Sequence, residues 1–91
     1  MKVAIYPGTF DPITNGHLDI ILRATKFVDR LVIAVSNNNK KETLFDTNER
    51  VEMIKKVIKD QNISNVEVDY FDGLLISYAK KKNANVIIRG L

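Results

Sequence analysis

The 91-residue chain has no cysteine and no tryptophan, only two prolines, one histidine, and no apolar run longer than the five residues from Leu31 to Val35. Without cysteine there is no disulfide framework, no thiolate zinc site and no thiol nucleophile, and a reducing compartment is expected. A five-residue apolar run is far short of the roughly 18 needed to span a membrane. The stretch from Val3 to Tyr6 is cut by Pro7 and Gly8 before a signal-peptide core could form. A cytoplasmic location without membrane association is therefore expected. Neither charge sign dominates. The 14 Lys and Arg against 11 Asp and Glu leave a net +3, interleaved along the chain. That balance suits an anionic small molecule and is too weak an excess for nucleic acid. The length allows one domain, residues 1–91, and excludes two independent cores.

What is present is a regular alternation. Val3–Tyr6, Leu31–Val35, Val66–Tyr70 and Val86–Ile88 are short and rich in β-branched residues, which predicts strands. Between them, Leu18, Ile21, Leu22, Thr25 and Val28 recur at helical spacing, as do Val51, Ile54, Val57 and Ile58, and then Leu74, Leu75, Tyr78 and Ala79. The order βαβαβαβ predicts a Rossmann-like α/β fold with a parallel sheet flanked by helices. Three strands are apolar on consecutive residues and are expected to be central, whereas Val66-Glu67-Val68-Asp69-Tyr70 alternates and belongs at an edge. Asn15 is a candidate cap for the first helix, and Asp46 with Glu49 forms a candidate capping box for the second. Lys80-Lys81-Lys82 closes the third, where cations complement the helix dipole. The last strand ends at Ile88, and Arg89-Gly90-Leu91 stand where a ligand-binding loop would begin. The chain is therefore expected to be the N-terminal part of a longer, truncated fold.

The densest cluster of unusual residues follows the first strand, from Pro7 to His17, and holds both prolines, two of the four glycines and the only histidine. Gly8 after a strand would let the backbone approach a ligand, with the Thr9 hydroxyl in the same loop. Gly16 and His17 fall in a helix's first turn, where N–H groups and the dipole favour phosphate. Neither a Walker loop nor a GxGxxG fingerprint is present. Arg89 at a strand end could face the same crevice and grip a phosphate bidentately. Each feature also has a plain structural reading: a capped turn, a packed histidine, a surface arginine.

Gly8-Thr9-Phe10-Asp11-Pro12-Ile13-Thr14-Asn15-Gly16-His17 resembles the signature of the (H/T)xGH nucleotidyltransferases, here as Thr14-Asn15-Gly16-His17. Within that superfamily the run from Tyr6 is most similar to the bacterial phosphopantetheine adenylyltransferases. Lys41 four residues before Phe45, the helix start Glu49-Arg50-Val51 and the terminal Ile88-Arg89-Gly90-Leu91 add to the likeness. The resemblance spans the whole chain and about the first half of the family's length.

The resemblance implies transfer of an adenylyl group from ATP to 4'-phosphopantetheine with Mg²⁺, giving dephospho-coenzyme A and pyrophosphate. By the same likeness Thr9 would bond the attacking phosphate and Phe10 would offer a backbone contact to ATP, while His17 would stabilise the transition state. Lys41, or its neighbour Lys40, would hold phosphopantetheine together with Arg89, and Leu75 would line that pocket. Gly90 and Leu91 would begin the ATP loop. The chemistry is consistent with this assignment. A phosphate monoester is largely dianionic near neutral pH, its second pKa being about 6, so attack needs no general base. Positioning and charge stabilisation then carry the reaction. Asp11, followed by Pro12, reads as a turn former with Mg²⁺ contact as the other option. The competing readings are a cytidylyltransferase, which would carry His in place of Thr14, and a fragment that binds nucleotide without turnover. The family is usually hexameric, so self-association of the intact protein as a homo-oligomer is expected.

Overall fold

Residues in the two apolar runs at the centre of the sheet divide by parity. Ala4 and Tyr6 of the first, with Leu31, Ile33 and Val35 of the second, enter one buried cluster, while Val3, Ile5, Val32 and Ala34 enter another. Successive strand residues point to opposite faces, so an uninterrupted apolar run means that both faces are covered. A computed structural model shows how, describing residues 1–37 and 42–89. The elements are β1 (Val3–Gly8), α1 (Asn15–Ala24), β2 (Arg30–Ser36), α2 (Thr47–Asp60), β3 (Val66–Phe71), α3 (Leu75–Lys81) and β4 (Val86–Ile87). The strands are all parallel, in the order β3-β2-β1-β4. The expected α/β architecture and element order are therefore observed.

Helices α1 and α2 cover one face through Ile21, Val51, Ile54 and Ile58, and α3 covers the other through Tyr78 and Ala79. The reason is topological. The chain steps from β1 to β2 to β3 in one direction and then crosses back past β1 to β4. With crossovers of one hand, the reversal moves the third helix to the opposite face. It also opens a crevice at the carboxyl ends of β1 and β4, the place where open α/β sheets bind ligands.

The helix ends follow the sequence with one correction. Asp46 and Glu49 form the expected capping box, with Glu49 N–H donating to Asp46 at 2.8 Å and Asp46 N–H donating to Glu49 at 3.2 Å. The first helix is capped by Thr14, not Asn15, which is its first helical residue. The cap goes to the residue whose third successor can return a bond to it, and His17 does so for Thr14.

Two further expectations are revised. The strand Val86–Ile88 was expected to be central, yet β4 is two residues long and forms an edge, with Val86 and Ile87 both more than a third exposed. Among the described residues nothing pairs with its outer side. Leu74, placed on the apolar stripe of the third helix, is its N-cap and is 75% exposed, because the helix begins one residue later. The alternating strand β3 does lie at an edge. Its acids lie on the face that α3 covers and have partners there: Lys82, just past α3, meets Glu67 at 2.6 Å and Asp69 at 3.5 Å, and Tyr78 Oη donates to Asp69 at 2.8 Å. The last of the three terminal lysines thus ties α3 to β3.

Candidate active site

The loop after β1 is built around one ring. Phe10 has a left-handed backbone (φ 50°) and is only 2% exposed, its ring edge-on to Tyr6 at 5.3 Å and 4.8 Å from the His17 ring. A left-handed phenylalanine is costly, of order 1 kcal/mol or more, and persists only where surroundings enforce it. Gly8 is part of that enforcement. A Cβ there would stand 3.0 Å from the Phe10 ring. The glycine therefore makes room for Phe10.

His17 is set by the cap. Thr14 N–H donates to His17 Nδ1 at 2.9 Å, and His17 N–H donates to Thr14 Oγ1 at 3.3 Å. An Nδ1 that accepts carries no proton, so the neutral ring holds its proton on Nε2 and presents that nitrogen as a donor. Burial pushes the His17 pKa below its ordinary value. The unfolded imidazole takes up a proton near pH 6.5 and the folded one only at lower pH. The unfolded state therefore binds more protons in that window, and stability falls as pH drops below about 6.5. Denaturation midpoints at pH 7 and at pH 5.5 are expected to differ more for the wild type than for His17→Gln. Equal differences would mean that His17 does not titrate this way.

A cavity of about 480 Å³ opens at the crevice between β1 and β4, lined by Tyr6, Thr14, Gly16, His17, Asp19, Ile20 and Arg89. The fold thus joins the only histidine to an arginine 72 positions later in the chain. Two cationic or hydrogen-bond-donating groups beside a helix N-terminus make a setting for phosphate. A slightly larger cavity of about 530 Å³ lies between the start of α1 and the end of α2, but its lining holds Asp60 and no base. An anion is not favoured there.

Other expected site residues are distributed as follows. Phe10 lies against His17, and Thr9 adjoins it in the same loop. Leu75, the first residue of α3, packs on the second core cluster and is not part of the 480 Å³ lining. Lys40, Lys41, Gly90 and Leu91 lie outside the described residues. Among the described residues Asp11 forms no local turn bond: its two oxygens accept from Leu44 N–H at 2.6 Å and Phe45 N–H at 2.9 Å, fastening the loop before α2 to the loop after β1. Among the described residues no three His, Asp or Glu side chains are grouped to hold a metal ion.

Arg50 has no expected role in the sequence reading, yet among the described residues it is the one charged side chain in the core, 3% exposed. Its signal was legible: it stands four residues before Ile54 and eight before Ile58, on the buried stripe of α2. A charge in that register requires buried partners.

The profile of the cytidylyltransferase-like family matches residues 5–91. The chain belongs to that family. The cytidylyltransferase-like chain is also 59% identical over all of its 91 residues to a phosphopantetheine adenylyltransferase of Caldanaerobacter subterraneus, covering 56% of that protein. Proteins of the same name from Clostridium botulinum and Carboxydothermus hydrogenoformans are 59% and 53% identical over its whole length, with 54% and 55% of their own lengths covered. The chain therefore spans about half the length of the curated relatives it matches. Among solved structures, a lipopolysaccharide core biosynthesis protein from Thermoplasma volcanium superposes with a TM-score of 0.72 at 23% identity, over 96% of this chain and 72% of that one. A bifunctional NMN adenylyltransferase/ADP ribose pyrophosphatase from Francisella tularensis gives 0.67 at 22% identity, over 89% of this chain and 25% of that one. These two establish the fold. In this cytidylyltransferase-like fold no described helix is long and apolar enough to cross a membrane.

Proposed function

We propose that the intact protein transfers the adenylyl group of ATP to 4'-phosphopantetheine, releasing pyrophosphate and forming dephospho-coenzyme A. The observation that carries this reading is the pairing of His17 and Arg89 on one cavity at the strand-order reversal, in a chain more than half identical along its whole length to proteins named for that activity.

The phosphate of phosphopantetheine is already an anionic nucleophile, so the residues have to align it and to accept charge. His17 Nε2–H donates to the non-bridging oxygens of the α-phosphate as charge builds on them, and Phe10 N–H supplies a second donor to ATP. Thr9 Oγ1 bonds the attacking phosphate. Arg89, with Lys41, holds that phosphate in line, Arg89 through a planar fork that matches phosphate oxygens. Leu75 borders the pantetheine arm, and Gly90 and Leu91 are assigned to ATP binding by the family likeness alone. Among the described residues no group of side chains would hold Mg²⁺, so the ion would be carried by the nucleotide's phosphates. When bound it neutralises part of the phosphate charge. The bonds formed and broken are both P–O, and the displaced pyrophosphate leaves opposite the incoming oxygen. The intact protein is proposed to act as a cytoplasmic homo-oligomer, hexameric like its family, with no nucleic-acid partner.

The test is pyrophosphate release from ATP and Mg²⁺ by the intact protein, with and without 4'-phosphopantetheine and with CTP replacing ATP. Release is expected only with ATP and phosphopantetheine together. ATP binding without release under any of these conditions would identify a nucleotide-binding protein, and preference for CTP a cytidylyltransferase.

A further inference from the structure

We infer that Arg50 is a positioning residue for catalysis, orienting the Phe10 amide of the nucleotide loop; the inference rests on the adenylyl-transfer reading. Arg50 is 3% exposed, and its guanidinium makes four hydrogen bonds, to three other segments and to the first residue of its own helix. Nη1 donates to Thr9 O at 2.8 Å and to Ser36 O at 3.1 Å, Nε to Phe45 O at 3.1 Å, and Nη2 to Thr47 Oγ1 at 3.1 Å. One side chain from the first turn of α2 thus gathers the loop after β1, the end of β2 and the loop before α2. Asp11 binds the first and last of these loops together from the other side.

The consequence for chemistry comes from the peptide plane. Thr9 C=O and Phe10 N–H belong to one planar trans unit and point in opposite directions. Holding the carbonyl toward α2 therefore aims the Phe10 N–H away from α2. Phe10 itself is left-handed (φ 50°), and its ring is clamped between Tyr6 and His17. The amide is thus fixed from both ends, by Arg50 on its carbonyl side and by the ring on its Cα side. A donor held in place before the substrate arrives costs nothing to reorient in the transition state. Arginine suits the task because three of its nitrogens donate from one rigid plane, a geometry that a lysine cannot copy.

The experiment compares Arg50→Lys with wild type and with Ile54→Val, a conservative core change on the same helix that leaves the four Arg50 hydrogen bonds in place. Pyrophosphate release by the intact protein is measured as kcat and KM for ATP, alongside the melting temperature. Arg50→Lys is expected to lower kcat about 30-fold with KM for ATP within about threefold, whereas Ile54→Val leaves kcat within about twofold. Should Arg50→Lys fail to fold, Thr47→Val, which replaces the hydroxyl under Nη2 with a methyl and also removes its bond to Asn37, is expected to lower kcat about fivefold. A lysine or Thr47 variant as fast as Ile54→Val would overturn the inference and leave Arg50 a stabilising residue. Absence of turnover in the wild type would instead overturn the adenylyl-transfer reading, and the catalytic role of Arg50 with it.

Discussion

Replacing His17 with alanine in the intact protein is expected to reduce turnover by about 10²–10³-fold while ATP affinity changes little. The magnitude is that of losing one preorganised donor to a developing oxyanion. The direction of the split follows from timing: charge on the α-phosphate oxygens rises as the bond forms, so a donor aimed there is strongest in the transition state and contributes little before it. The neutral Nε2–H form required is the one that Thr14 N–H enforces at Nδ1 and that burial favours. The same substitution removes half of a capping box, which costs roughly 1 kcal/mol of stability. Rates should therefore be compared well below the melting transition, with ATP binding measured separately by calorimetry. Equal losses in binding and rate would make His17 an ordinary ground-state contact.

Replacing Ile54 with alanine is expected to cost about 3 kcal/mol, within the usual range of 2–5 kcal/mol for such core truncations. Ile54 is wholly buried where α2 meets the sheet, in the cluster that also holds Phe10 and Leu31. The effect is large against the total stability of a typical domain, about 5–15 kcal/mol. Leu74→Ala is the contrasting change. Its side chain is three-quarters exposed, and the substitution is expected to stay within about 0.5 kcal/mol. Chemical denaturation of the intact protein reads both as midpoint shifts at constant slope. A large loss at Leu74 would mean that the exposed side chain is covered in the intact protein.

Much of the fold was legible because a parallel sheet writes itself locally. Consecutive apolar residues in β1 and β2 mark strands buried on both faces, and the alternation of β3 marks an edge. The same signal misled at Val86–Ile88. An apolar strand states that both faces can be buried, not which neighbours are there to bury them, and β4 is an edge within this chain. The cap of α1 was missed because Thr14 and Asn15 are both good caps, and only the return bond from His17 selects between them. That Gly8 also makes room for the Phe10 ring could not be read from the sequence, because nothing local shows the ring folding back over it.

The residues by themselves determined the element order, the face each helix stripe presents, and the chemical types gathered between Pro7 and His17. Those features depend on neighbours within one or two turns of chain, so local periodicity and capping chemistry suffice to specify them. The tertiary structure placed Arg89, expected at the same crevice, on one cavity with His17, and it alone turned Asp11 into a clamp between loops and gave Arg50 its four acceptors. Apart from the Arg50 bonds to Phe45 and Thr47, these contacts join positions well separated in the chain. They exist because the crossover to β4 and the packing of α2 close the chain on itself, and no local pattern encodes that closure.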